Sequence, residues 1–119
     1  MERVRFITHR GKQVLLVDVA HCSTVDAEKA IRTVPDFVTV QPRSSVLLLV
    51  DFAGTPFNSE TMRAMHENAV LDKPYINKSA WIGAESIPDS FRQGLSGYSG
   101  RDFPVFKDRI DALEWLTKD

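Results

Sequence analysis

The chain has 119 residues, 43% of them hydrophobic and 26% charged, the length of about one domain over 1–119 and a globular composition that excludes disorder. Fifteen basic residues nearly cancel sixteen acidic ones, and their scatter excludes the basic stripe of a nucleic-acid-binding protein. The lone Cys22 excludes an internal disulfide, and no signal peptide or membrane-length apolar run is visible, so the expectation is a cytoplasmic protein without a membrane span.

Residues 3–8 place Val4 and Phe6 on one face, as a half-exposed strand does. His9-Arg10-Gly11-Lys12 reads as a short turn and 13–20 as a second strand, so the two form an antiparallel hairpin at one side of a sheet. Ser23-Thr24 precedes Ala27, Ala30, Ile31, Val34, Phe37 and Val38, an apolar stripe of helical period. Pro35 interrupts that stripe, which predicts either a kink or one helix ending near Thr33 and another opening at Pro35.

Residues 46–50, VLLLV, are apolar at successive positions. Both faces of that strand should be covered, as in the centre of a parallel sheet. A helix over about 59–71 follows, with Met62, Met65 and Ala69 inward and Lys73-Pro74 closing it. Residues 79–84 form a fourth strand. Pro88 opens a helix with Ile87, Phe91 and Leu95 spaced by four, after which Gly94, Gly97 and Gly100 loosen the chain into a mobile flap. FPVF, 103–106, is a short edge strand, where a proline is tolerated. Asp108 caps a last helix carrying Ile110, Leu113, Trp115 and Leu116. The whole predicts an α/β fold: a five-stranded mixed sheet, an N-terminal hairpin, four β-α units and helices on both faces.

With those elements in place, VLLLVDFAGTPFNSETM resembles the third strand, loop and second helix of STAS domains, the anti-sigma-factor antagonist class. RDFPVFKDRIDALEWL and KPYINKSAWIGA are similar to the SpoIIAA-like (STAS-like) bacterial branch of that family. The likeness covers nearly the whole chain and implies the STAS fold. It also implies a non-enzymatic regulatory module that binds a protein partner, with a serine at the start of the second helix phosphorylated by a partner kinase. That serine corresponds to Ser59. The aspartate that precedes it in the family is Asn58 here, and the Ser-Gly that follows is Glu60-Thr61. Glu60 would repel an incoming phosphate.

From local physics, Ser59 or Asn58 reads first as the N-cap of its helix, worth about 1 kcal/mol. Ligand sites in open parallel sheets gather beyond the carboxyl ends of the strands, which here should collect His21, Cys22, Asp51, Asn58, Ser59 and Glu85. Asp51, Thr55, Glu60 and Met62 then describe a strand-end surface for a partner. His21 and Cys22, consecutive on an extended strand end, should point to opposite sides and not pair, which favours a buried thiol over a catalytic one.

Asp18 and Asp51 on adjacent strands raise a third reading, a receiver-like phosphoacceptor domain. The acidic pair expected after its first strand is absent, however, and Lys107 is followed by Asp108 rather than proline. His9 and His66 have no partner at metal-ligand spacing and read as surface residues, so neither a metal nor a cofactor is expected. The alternative to a protein-binding module is a sensor or carrier of a small apolar, lipid-like ligand, lined by Phe91, Leu95 and Tyr98. Trp81 and Trp115 read as packing residues. No complete set of nucleophile, base and orienting group is visible, so no enzyme is expected. Assembly as a homodimer is left open.

Overall fold

A computed structural model describes residues 3–118. Strands β1 (Val4–His9) and β2 (Lys12–Asp18) form the hairpin, joined by Arg10 and Gly11 at φ of 51° and 76°. Positive φ at both central residues gives the turn whose twist matches an antiparallel pair. Then follow α1 (Thr24–Val38), β3 (Val46–Asp51), α2 (Ser59–Asp72), β4 (Ile76–Ile82), a short 3-10 turn (Ala84–Ser86), α3 (Asp89–Ser99), β5 (Val105–Phe106) and α4 (Arg109–Thr117). The sheet order is β1-β2-β3-β4-β5, antiparallel only between β1 and β2. The architecture is therefore α/β with a five-stranded mixed sheet, and β3 lies at its centre.

Period two along β3 sorts its side chains between two cores. Val46, Leu48 and Val50 join Val34, Met65, Trp81 and Leu95 under α1, α2 and α3. Leu49 joins Val14, Leu16, Ala80, Ile82, Leu113 and Leu116 under α4. Helices thus cover both faces, three on one side and one on the other. Trp81 is 1% exposed, its ring centre 5.2 Å from that of Phe103 and, edge to face, 5.3 Å from that of Phe52, so truncating it to alanine should cost about 3–5 kcal/mol.

Several boundaries differ from the sequence reading. β2 ends at Asp18, because Ala20 and His21 leave the extended region; His21 has φ 55°. The first helix is continuous to Val38, with Pro35 inside it and Ser23 as its cap. β4 runs Ile76–Ile82 and not to Ala84. Its entry is fixed by Tyr75, whose carbonyl accepts from Ser45 and Val46, and its exit by Gly83 at φ 67°. α3 extends through Gly94 and Gly97 to Ser99, so the glycine-rich segment is a helix and not a flap. Buried Leu95 anchors it, the Ser99 hydroxyl donates back to the Leu95 carbonyl at 2.8 Å, and Gly100 at φ 72° closes it. β5 is confined to Val105–Phe106, because Phe103 turns inward onto Trp81. Among the described residues no helix is long and apolar enough to cross a membrane.

Candidate functional site

The carboxyl ends of β2, β3 and β4 share one edge, and their loops hold most of the chemistry-bearing residues. Asp18 and Asp51 are direct partners across the parallel β2–β3 pair. Arg109, the first residue of α4, bridges them: its Nε donates to Asp51 Oδ2 at 2.9 Å and its Nη2 lies 3.2 Å from Asp18 Oδ2. The other Asp51 oxygen accepts from the Ala53 backbone at 3.0 Å. Both oxygens of Asp51 are therefore engaged, and the residue is only 6% exposed. An arginine stands where clustered carboxylates would hold a cation.

Beside this bridge, Thr55 is buried, accepts the Cys22 N–H at 3.1 Å and donates to the Val19 carbonyl. It ties the β2 and β3 loops together. Asp51 and Thr55 thus belong to the scaffold and not to an exposed partner surface, contrary to the sequence expectation. Glu60 is exposed and Met62 half-buried. His21 sits in a left-handed turn with its ring against Gly54, so it is not on an extended strand end as expected. Cys22 is buried, and desolvation raises the pKa of its thiol. That keeps it protonated and unreactive. His9, expected as a lone surface residue, is half-buried and paired with Glu114 at 2.9 Å. His66 is exposed, its ring 4.6 Å from that of Tyr98. Among the described residues no three His, Cys, Asp or Glu side chains are grouped to hold a metal.

The start of α2 is built by two side chains. Asn58 is the N-cap: its Oδ1 accepts from the Thr61 N–H at 3.0 Å, and Thr61 Oγ1 accepts from the Asn58 N–H at 2.9 Å. This reciprocal box satisfies the first turn. Ser59, the first helical residue, is exposed, and its hydroxyl has no hydrogen-bond partner among the described residues. Phe57, just before the cap, packs 5.9 Å from Phe52 and 5.8 Å from Phe91.

Of the residues expected to line an apolar pocket, only Leu95 does so; Phe91 packs on Phe57, and Tyr98 is exposed against His66. The apolar cavity it lines measures about 50 Å³ and lies between the sheet and α1–α3, with Asp72 and Arg101 in its wall. Burial pushes the Asp72 carboxyl up to about 7 against the opposing pull of Arg101, and burial likewise lowers the Arg101 guanidinium. Sequence reasoning passed over both, and over Arg109. Asp72 did leave a signal. It continues the inward stripe Met65–Asn68–Ala69 of α2, and it stands in the last turn, where the helix dipole disfavours an anion. Arg101 and Arg109 leave none, since their partners are remote in sequence.

The chain matches no protein-family model, no curated protein and no solved structure.

Proposed function

We propose that the chain is a STAS-like, SpoIIAA-like interaction module, non-enzymatic, which docks a protein partner at the start of α2 and is regulated by phosphorylation of Ser59. The observation that carries this reading is the division of labour at that helix start. Asn58 and Thr61 complete the cap between them, so the exposed Ser59 hydroxyl has no structural task. A phosphate added there gains from the positive end of the helix dipole and is opposed by Glu60, whose own charge is partly met by Arg63 at 3.7 Å. Nearly two added negative charges on a contact surface are enough to expel a partner by repulsion and desolvation. The order of elements, a hairpin followed by four β-α units, accords with the STAS resemblance.

The test is a pull-down on the wild type, Ser59→Ala and Ser59→Asp forms, with mass spectrometry of Ser59 in protein recovered from cells. The reading expects one partner held by the wild type and Ser59→Ala but released by Ser59→Asp, and a phosphate on Ser59. Equal capture by all three forms, with Ser59 unmodified, sinks it.

A second reading, binding of a small apolar ligand, is favoured by the cavity under α1–α3. Its volume of about 50 Å³ limits the ligand to a few heavy atoms, well below the roughly 300–1,000 Å³ of ordinary ligand pockets, so a lipid does not enter without the helices parting.

A further inference from the structure

The two outer edges of the sheet are built differently. β5 is two residues long with Pro104 beside it, the short, proline-flanked kind of edge that resists further pairing. β1, at the other edge, runs Val4–His9 without a proline, and its six pairs with β2 keep one continuous register with no bulge. Alternation along the ladder fixes which backbone groups stay open. The Asp18 N–H donates to the Arg3 carbonyl at 2.7 Å, so Arg3 and Asp18 form a hydrogen-bonded pair, and Arg5, Ile7 and His9 follow at every second position. The N–H and C=O groups of Val4, Phe6 and Thr8 point the other way, off the sheet. None of them has a hydrogen bond among the described residues.

The side chains at the middle of this edge are apolar. Phe6 is half-buried against the larger core, its ring centre 6.4 Å from that of Phe37 on α1, and Ile7 is half-buried against the α4 core on the opposite face. A second copy of β1 laid antiparallel meets the open groups only in registers that bring Val4, Phe6 and Thr8 of the two copies together. The register with Phe6 opposite Phe6 pairs all of 3–9: Val4 with Thr8, Arg5 with Ile7 and Arg3 with His9. Each copy then supplies three N–H donors and three carbonyl acceptors to the seam. No two arginines face each other, and His9 already lies 2.9 Å from the Glu114 carboxylate. Sliding by two residues shortens the overlap to five pairs and sets Arg5 against either Arg5 or His9 of the second copy.

We propose that β1 pairs antiparallel with β1 of a second copy of this chain across a two-fold axis through Phe6, joining two five-stranded sheets into one. The edge fits itself: one patch serves both sides of a closed, isologous contact. Pairing removes both open edges at once and leaves the protected β5 strands outermost. On the α1 face Phe6 meets Phe6 across the axis, with a Phe37 ring beside each, and such cross-strand aromatic pairs strengthen a sheet. A single strand edge covers less than the roughly 800 Å² per partner of a standard interface, so the dimer is reversible, with a dissociation constant of about micromolar order. The start of α2 follows β3, two strands away from β1, so this seam and the Ser59 reading stand or fall separately.

The experiment is sedimentation velocity of the full chain from about 1 to 500 µM, with hydrogen exchange of the 3–9 segment measured by mass spectrometry at low and high concentration. The wild type should pass from monomer to dimer, and exchange in that segment should slow about tenfold or more as it does. Thr8→Pro removes one outward N–H and leaves the β2 ladder intact, since a proline is tolerated where its N–H would face off the edge. It should raise the dissociation constant about tenfold or more. Phe6→Arg sets two cations against each other on the axis and should hold the chain monomeric throughout. A wild type that stays monomeric to about 500 µM overturns the proposal and leaves the edge to some other strand. So does a dimer whose 3–9 segment exchanges as the monomer's does, the result of association through another surface. Folded Thr8→Pro and Phe6→Arg forms that both dimerise like the wild type overturn it equally. Should either variant not fold, the two wild-type measurements decide alone.

Discussion

Asn68 on α2 donates its side-chain amide to the Ile31 carbonyl on α1, the acceptor that Pro35, four residues further on, has no N–H to satisfy. An interior proline removes an intrahelical bond and costs about 3 kcal/mol or more. Here a neighbouring helix replaces the lost donor, which explains why α1 runs through Pro35 unbroken. Asn68→Ala should destabilise by about 2 kcal/mol, because the buried carbonyl is orphaned again. In a Pro35→Ala background the same change should cost about 1 kcal/mol less, since the helix then supplies its own donor. Urea unfolding of the four forms measures the coupling, and additive losses would falsify the assignment.

Asp72 should make stability depend on pH in a definite direction. Its folded pKa of about 7 stands above the ordinary 3.8. Between these values the folded protein keeps a proton that the unfolded chain releases. Stability is then highest below about pH 4 as far as this group is concerned, and falls as pH rises through 7. Asp72→Asn should therefore stabilise at about pH 8, by on the order of 3 kcal/mol, and make little difference near pH 4. Denaturation midpoints across that range check it; a gain of equal size at both ends contradicts the burial argument.

Removing Arg109 should leave Asp18 and Asp51 facing each other without a counter-charge. Arg109→Gln is expected to lose about 2 kcal/mol at neutral pH. Millimolar magnesium should raise the melting temperature of that variant more than that of the wild type, because a cation can take the vacated place. Incubation of the wild type with acetyl phosphate and magnesium should leave Asp51 unmodified, as Arg109 and the Ala53 N–H hold its two oxygens. An acyl phosphate on Asp51 in intact-mass analysis would restore the receiver-like reading.

At the start of α2 the cap and the candidate switch are adjacent residues with separable effects. Asn58→Ala should lose about 1 kcal/mol. Ser59→Ala should stay within about 0.5 kcal/mol of the wild type, and Ser59→Asp should fold normally because a carboxylate is acceptable in a first helical turn. Thermal melts of the three variants are sufficient. A larger loss from Ser59→Ala than from Asn58→Ala would reverse the roles.

Gly83 and Gly54 should differ in what alanine costs them. Both have positive φ, 67° and 69°. A Cβ on Gly83 would meet the Ala53 backbone at 2.5 Å, whereas one on Gly54 would meet the His21 ring, which is at the surface and free to turn. Gly83→Ala should lose about 2 kcal/mol or more and Gly54→Ala about 1 kcal/mol. Equal losses in chemical unfolding would mean that backbone strain, and not the close approach, sets both.

The elements written into the chain as period and punctuation were legible in it. The five apolar residues of β3 announced a strand covered on both faces, and Leu48 and Leu49 do enter opposite cores. The Arg10-Gly11 turn announced the hairpin, and the Asn58-Ser59 boundary the start of α2, because caps and turns are satisfied by atoms a few residues away. Misreadings arose where a local rule met a distant partner. Pro35 signalled a break that Asn68 repairs from another helix, and the glycines of α3 signalled looseness that buried Leu95 overrides. Asp18, Asp51 and Arg109 were each visible as charged residues, but only the parallel register of β2 with β3 and the return of α4 to their ends joined them. Asp72 and Arg101 are 29 positions apart, and their meeting in one cavity wall depends on how α2 and the segment after α3 settle on one sheet face. Hydrophobic period and capping act over one or two turns of chain and survive in sequence. Charge pairing, burial of polar atoms and the shape of a cavity are set by which surfaces meet, and for those the tertiary structure alone decided.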